Sequence, residues 1–155
     1  MTKKGLIAAI CAALERDVEI QSQAAQATYD GATSEESKAE HQYDTRALEA
    51  SYLAGAQARR AAETREALTR FAILEVKDFA DGRPIAVGAL VELDGENGSR
   101  WYFIGPCSGG LAVTHSGHSV LIITPAAPLG RALLGGEEGD TVTVGGREYE
   151  ISQVL

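Results

Sequence analysis

The chain has 155 residues, enough for one ordinary domain or two small ones, and 45% of them are hydrophobic, so a packed core is within reach. A formal charge of −8 argues against nonspecific binding to bare DNA or an anionic membrane, so nucleic acid would be reached through a partner. No run approaches the ~20 apolar residues of a membrane span. Cys11 and Cys107 form no metal-type pair and are expected as reduced thiols.

Lys3-Lys4 followed by Gly5 to Leu14 imitates a secretory signal. The apolar spacing, however, continues in helical phase past Glu15, Arg16 and Asp17, and Ile10 stands before Cys11 where a lipoprotein signal wants a small residue. This favours a cytoplasmic helix. Its apolar row runs Ile7, Cys11, Leu14, Val18 and Ala25, with one polar position at Gln21. Asp30-Gly31 reads as the breaker, and Thr33 or Ser34 as the cap of a second helix with Glu35 and Glu36 in its first turn. That helix is predicted to continue to about Ala72, since only Gly55 interrupts it; at ~1.5 Å per residue it would span roughly 50 Å. Ala47, Ala50, Ala54, Ala58 and Ala61 let the helices approach closely, and a projecting antiparallel pair accounts for the length.

Residues 30 to 44 then fall at the tip of the hairpin, and they hold five acids against Lys38 alone. Carboxylates at the end of a narrow rod are suited to deliver metal ligands into a deep cavity of a larger partner, although a solvated turn has the same composition. Further along, Arg59, Arg60, Arg65 and Arg70 outnumber Glu63 and Glu66, so that stretch suits a nucleic-acid backbone or an acidic protein surface, or merely a solvated helix face.

The texture changes between Phe71 and Asp81: all four prolines and most glycines follow. Residues 1–75 are read as the helical hairpin and 76–155 as a β-rich domain, joined by a short connection around Leu74 to Phe79. Strands are predicted over 86–93, 100–104, 111–114, 119–124, 141–144 and 148–154. His115-Ser116-Gly117-His118 and Gly145-Gly146 are the turns of two hairpins, and Asn97-Gly98-Ser99 is another turn. One short helix occupies 128–134, with Pro128 at its start and Gly135 at its end. The class is α+β, with a twisted sheet wrapping the helix.

Pro128-Leu129-Gly130-Arg131-Ala132-Leu133-Leu134-Gly135, Glu138-Gly139-Asp140-Thr141-Val142 and Tyr149-Glu150-Ile151 resemble the C-terminal, FKBP-like domain of the bacterial Gre transcript-cleavage factors. Ala86 to Val91 and Tyr102 to Pro106 fit the same pattern in the same order, and that family also carries an N-terminal antiparallel coiled-coil hairpin with an acidic tip. The resemblance implies a cytoplasmic factor that binds RNA polymerase at its secondary channel and acts on the nascent RNA 3′ end only indirectly. It is no enzyme by itself, binds no membrane and makes no sequence-specific DNA contact. It implies that tip acids help hold a Mg²⁺ shared with the polymerase, with no cofactor bound stably by the chain alone. Glu36 and Glu40 are the best counterparts of the family's tip pair, Glu35 and Asp44 are neighbouring ligand candidates, and Tyr43 answers the family's aromatic. Pro128, Leu129, Gly130 and Arg131, with Arg59 and Arg60, are the candidate polymerase-binding residues.

The chain departs from the family pattern in three places. Glu36 and Glu40 are four apart where the family has an Asp and a Glu three apart; Ala127 replaces a Ser; and Cys107-Ser108-Gly109-Gly110 replaces acidic residues. A secondary-channel regulator or inhibitor that does not stimulate cleavage is therefore the competing reading. An FKBP-like prolyl isomerase or chaperone needs an aromatic-lined pocket, whereas alternation sends Tyr102 away from Trp101 and Phe103, which reads as core. His115 and His118 lack further nearby Cys or His ligands for a metal enzyme, and Ser116 and Ser119 have no acid–base partner.

Overall fold

The computed structural model describes residues 1–33, 45–79 and 82–155. The chain is a helical hairpin followed by a six-stranded mixed sheet with one short helix, the α+β layout expected from its sequence. Helix α1 spans Lys3–Thr33 and α2 spans Arg46–Ala72. The strands are β1 Leu90–Gly95, β2 Gly98–Ile104, β3 Ala112–His115, β4 His118–Ile123, β5 Thr141–Val144 and β6 Arg147–Val154; α3, Pro128–Leu133, lies between β4 and β5. Two compact units result, one made of Met1–Cys11 with Arg70–Leu155 and the other of Ala12–Thr69. The change of texture near 71 to 81 thus falls close to one unit boundary, but composition gives no sign that the first eleven residues belong with the sheet.

The sheet order is β3-β4-β2-β1-β6-β5, and only the β2–β4 pair is parallel. Tight turns fix three registers. Ser116 (φ 53°) with Gly117 (φ 79°), and Gly145 (φ 60°) with Gly146 (φ 77°), form two-residue turns with both residues left-handed, the geometry that matches strand twist. Glu96-Asn97 closes β1 onto β2, with Gly98 at φ 89°. A bulge between β1 and β6 leaves Ser152 unpaired; its hydroxyl donates to the Glu92 carbonyl at 3.3 Å.

Apolar side chains occupy both faces of the sheet. Tyr102 and Ile104 join Val91, Leu93, Ile123, Ile151 and the fully buried Leu133 of α3 in one cluster. Trp101 and Phe103 point the other way, paired across the strands with Val120 and Ile122. On that side Phe71 stacks at 6.5 Å on Phe103, and Leu6 and Ile10 are fully buried. Gly5 lets the first turn of α1 approach β3: a Cβ there would lie 2.6 Å from His115 Cε1. Lys3 tethers the same turn, its ammonium 4.7 Å from the centre of the Phe79 ring and donating to the Lys77 carbonyl. Desolvation holds the Lys3 ammonium below the ordinary lysine pKa, with Asp78 opposing that shift.

Several expected boundaries change. Helix α1 does not stop at Asp30-Gly31 but continues to Thr33, so Thr33 belongs to the first helix, and Ser34, the other cap candidate, lies outside the described residues. Gly31 meets nothing within 4 Å, and Gln26 donates to Asp30 at 2.7 Å across one turn, so a long alanine-rich helix carries the glycine's cost of about 1 kcal/mol. The described part of α2 starts after Thr45, whose carbonyl takes the first helical bond, from the Glu49 amide at 2.9 Å. Leu14 of the expected apolar row of α1 is buried, but in the first turns Leu6 and Ile10 are fully buried while Ile7 and Cys11, one position later, are half-buried. The strand expected from Ala86 begins only at Leu90, because Gly88 (φ 94°) turns the chain and the Ala89 amide bonds back to Ala86.

Candidate functional site

Two places carry the residues singled out by sequence, the hairpin and the α3 region. In the hairpin unit, small side chains line the seam: Ala54 and Ala61 are buried on α2, whereas Ala58 is exposed. Gln21, the polar break in the row of α1, accepts from the Thr64 hydroxyl at 3.1 Å, and Arg65 donates to Ser22 at 2.9 Å. Thus Arg65, expected on a solvated or partner-facing surface, is partly spent on holding the two helices together. Arg59 and Arg60 are exposed and make no ion pair among the described residues. Larger apolar side chains are also exposed on this unit, with Tyr29 at 56%, Leu48 at 57%, Leu53 at 54% and Tyr52 at 73% of their full accessibility.

Glu35, Glu36, Glu40, Tyr43 and Asp44 lie outside the described residues. In the sequence they fall between Thr33 and Arg46. Among the described residues, no group of three or more His, Cys, Asp or Glu side chains is arranged to hold a metal ion.

The α3 motif proves to be built mainly for architecture. Pro128 sits at the start of the helix, where its missing N–H costs nothing, and Ala127 precedes it without any side-chain cap. Gly130 is buried, and a Cβ on it would lie 2.0 Å from the Thr124 carbonyl oxygen, so no other residue fits without moving the backbone. Leu129 packs against the core cluster. Exposed Arg131 folds back to donate to the Ala126 carbonyl. Gly135 and Ile85 exchange one bond of a short bridge, Gly135 N–H to Ile85 carbonyl at 2.9 Å.

The Glu138-Gly139-Asp140 segment is equally structural. The Asp140 carboxylate accepts from the Glu137 amide at 2.8 Å, and Glu138 accepts from the Val154 amide at 3.4 Å. Of the candidate polymerase-binding set, Pro128 and Arg131 present themselves to solvent, while Leu129 is half-buried and Gly130 buried. His115 and His118 face each other as the last ladder pair of β3 and β4, and His118 stands edge-on to Trp101 at 6.0 Å. Sequence reasoning missed the seam contacts of Gln21 and Ser22, since a polar residue in an apolar row gives no hint of its partner.

No protein-family model matches the chain, and no curated protein matches it. Among solved structures, it is similar to GreA factor homolog 1 (Gfh1) of Thermus thermophilus, at 20% identity over 94% of this chain and 94% of that one, with a TM-score of 0.39. Gfh1 of Thermus aquaticus is 21% identical over 99% of this chain and 96% of that one, with a TM-score of 0.36.

Proposed function

We propose that the protein is a transcription factor of the Gre type, which inserts its hairpin into the secondary channel of RNA polymerase and stimulates cleavage of backtracked RNA. The observation that carries this reading is the hairpin itself. Two slender helices, closed by small residues, bracket a link whose sequence holds Glu35, Glu36, Glu40 and Asp44. The exposed Tyr29, Leu48, Tyr52 and Leu53 near that link are apolar surface suited to contact with protein walls. The Gre-like order of motifs from Ala86 to Ile151 supports the same assignment.

On this reading Glu36 and Glu40 supply oxygen ligands to a Mg²⁺ shared with the polymerase, assisted by Glu35 and Asp44, and the polymerase remains the catalyst. Arg131 and Pro128 meet the polymerase from the sheet unit, and Arg59 and Arg60 from the hairpin. The test is to add the protein to purified cognate polymerase halted in a backtracked complex and follow the RNA length. Shortening that depends on Mg²⁺ and disappears in the Glu36→Gln/Glu40→Gln double variant supports the proposal; a fully active double variant overturns the metal-donor role. The four-residue spacing of Glu36 and Glu40 favours one second reading, a channel-occupying regulator that does not cleave. Its signature is an inactive wild-type protein that still displaces a cleavage factor.

A further inference from the structure

Strand β5, Thr141–Val144, forms one end of the sheet, and an end strand presents backbone groups that another strand can take up. The ladder fixes which of them face outward. The Ile151 amide donates to the Asp140 carbonyl at 2.8 Å, so the hydrogen-bonded pairs between β5 and β6 are Asp140–Ile151, Val142–Tyr149 and Val144–Arg147. Thr141 and Thr143 alternate with them, and their N–H and C=O groups point away from β6, on the side where no strand follows. The devices that blunt natural sheet edges are missing, because Thr-Val-Thr-Val holds no lysine and no proline and its pairing with β6 has no bulge.

The residues around this edge are complementary to themselves. We propose that β5 is a docking edge for a second copy of this chain, paired antiparallel about a two-fold axis with Val142 opposite the partner's Val142. In that register Thr141 and the partner's Thr143 exchange N–H to C=O bonds, and by symmetry so do Thr143 and the partner's Thr141. On one face Tyr149, Val142, the partner's Val142 and the partner's Tyr149 form a continuous row; Val142 and Tyr149 are only partly buried in the single chain. Beside that row Val144 stands between Arg147 and the partner's Asp140, which strand spacing sets about 10 Å apart at the backbone, within the combined reach of the two side chains. Arg147 is exposed and makes no ion pair among the described residues. Asp140 is exposed too; its Oδ2 takes the Glu137 amide at 2.8 Å, which leaves Oδ1 to accept from an arginine. On the other face Thr143 and the partner's Thr141 hold Glu148 and the partner's Glu150 about 14 Å apart, beyond the screening length at physiological salt. The opposite edge, β3, offers no such match: the equivalent register about Val113 sets Leu111 against His115 and brings no opposite charges together. Four residues from each copy make a small interface, so the association is weak and reversible. It is independent of the channel-binding role.

The full-length protein is followed by sedimentation equilibrium from about 10 µM to about 1 mM, the range in which weak interfaces form, and by amide hydrogen exchange at both ends of that range. The mean mass is expected to rise from monomer toward dimer with concentration, and the Thr141 and Thr143 amides to gain protection while those of Ala112 and Thr114 do not. Thr143→Pro deletes an outward N–H at an edge position where proline is tolerated, and should stay monomeric throughout. Arg147→Glu, an exposed replacement, sets like charges against the partner's Asp140 and should weaken association about tenfold or more, whether or not the proline variant folds. Circular dichroism and the urea midpoint check the fold of each. A wild-type protein that is monomeric at every concentration, protection that appears at Ala112 and Thr114 instead, or full association in folded Thr143→Pro or in Arg147→Glu overturns the proposal.

Discussion

Replacing Gly130 by Ala tests whether the α3 motif is architectural. The added Cβ would fall 2.0 Å from the Thr124 carbonyl oxygen, 2.9 Å from the Thr124 carbonyl carbon and 3.4 Å from Pro125 Cα, all backbone atoms that cannot rotate away. An ordinary carbon–oxygen approach is about 3.3 Å, so α3 and the preceding chain must part by about 1.3 Å. That movement lifts Leu133, fully buried, and Leu129 off the core cluster. Overpacking of this kind costs about 1–3 kcal/mol, and partial loss of a buried leucine's contacts adds to it; the better helix propensity of alanine returns at most about 1 kcal/mol. The expected net loss is about 2–4 kcal/mol, a fall of about 1–2 M in the urea midpoint read from Trp101 fluorescence. Gly55→Ala is the control, because its Cβ meets nothing within 4 Å and the same exchange in mid-helix should gain up to about 1 kcal/mol, seen in helical circular dichroism. A Gly130→Ala protein as stable as the wild type would refute the close-approach argument.

Three other changes follow from the same packing. Phe71→Ala removes a fully buried ring stacked on Phe103 and should cost about 3–5 kcal/mol in the Trp101-monitored transition. Ala127→Ser restores a side-chain cap to α3, which has none, and should raise stability by about 0.5–1 kcal/mol in urea titration; an unchanged midpoint would mean the hydroxyl does not reach the helix amides. Lys3 has a folded pKa below its unfolded one, so the unfolded chain binds more protons just below the ordinary lysine value of about 10.4, and stability gains from Lys3 as pH rises through that window. Lys3→Met should abolish that rise in denaturation measured between pH 8 and 10, and a variant whose pH dependence matches wild type contradicts it.

Local signals made much of the sheet legible. Strand β5 was predicted at its observed limits, and β6 to within one residue, because Gly145-Gly146 demands a two-residue turn whatever surrounds it. The α3 boundaries were readable from Pro128 and Gly135 in the same way. The failures share a cause. Asp30-Gly31 carries a turn signal that a long helix overrides, and the late start of β1 depends on a turn at Gly88 that completes its bonding only when its amide finds Ile104. The role of Gly5 was invisible because His115, which occupies the space, is more than a hundred positions away in sequence. At the candidate site, Gly130 and Asp140 stood out by motif, but the motif could not tell a contact surface from a packing constraint.

That distinction changes how mutations in this protein are to be interpreted. The hairpin unit buries among its described residues only Leu14, Ala54, Ala61 and Ala67 as hydrophobic side chains, which bring helices close but remove little apolar area from water. Helix propensity and seam bonds such as Thr64 to Gln21 therefore carry much of its order, and surface charges such as Arg59 and Arg60 contribute little to it. In the sheet unit the motif residues are bound into the core, so a loss of partner binding after changing Gly130 or Asp140 speaks first of folding. Arg131 is exposed there but also bonds the Ala126 carbonyl, so its replacement needs a stability measurement alongside any binding assay. Arg59 and Arg60 carry no such ambiguity in the proposed scheme: exposed arginines on a helix face are positions where a side chain can be changed while the core stays as it is.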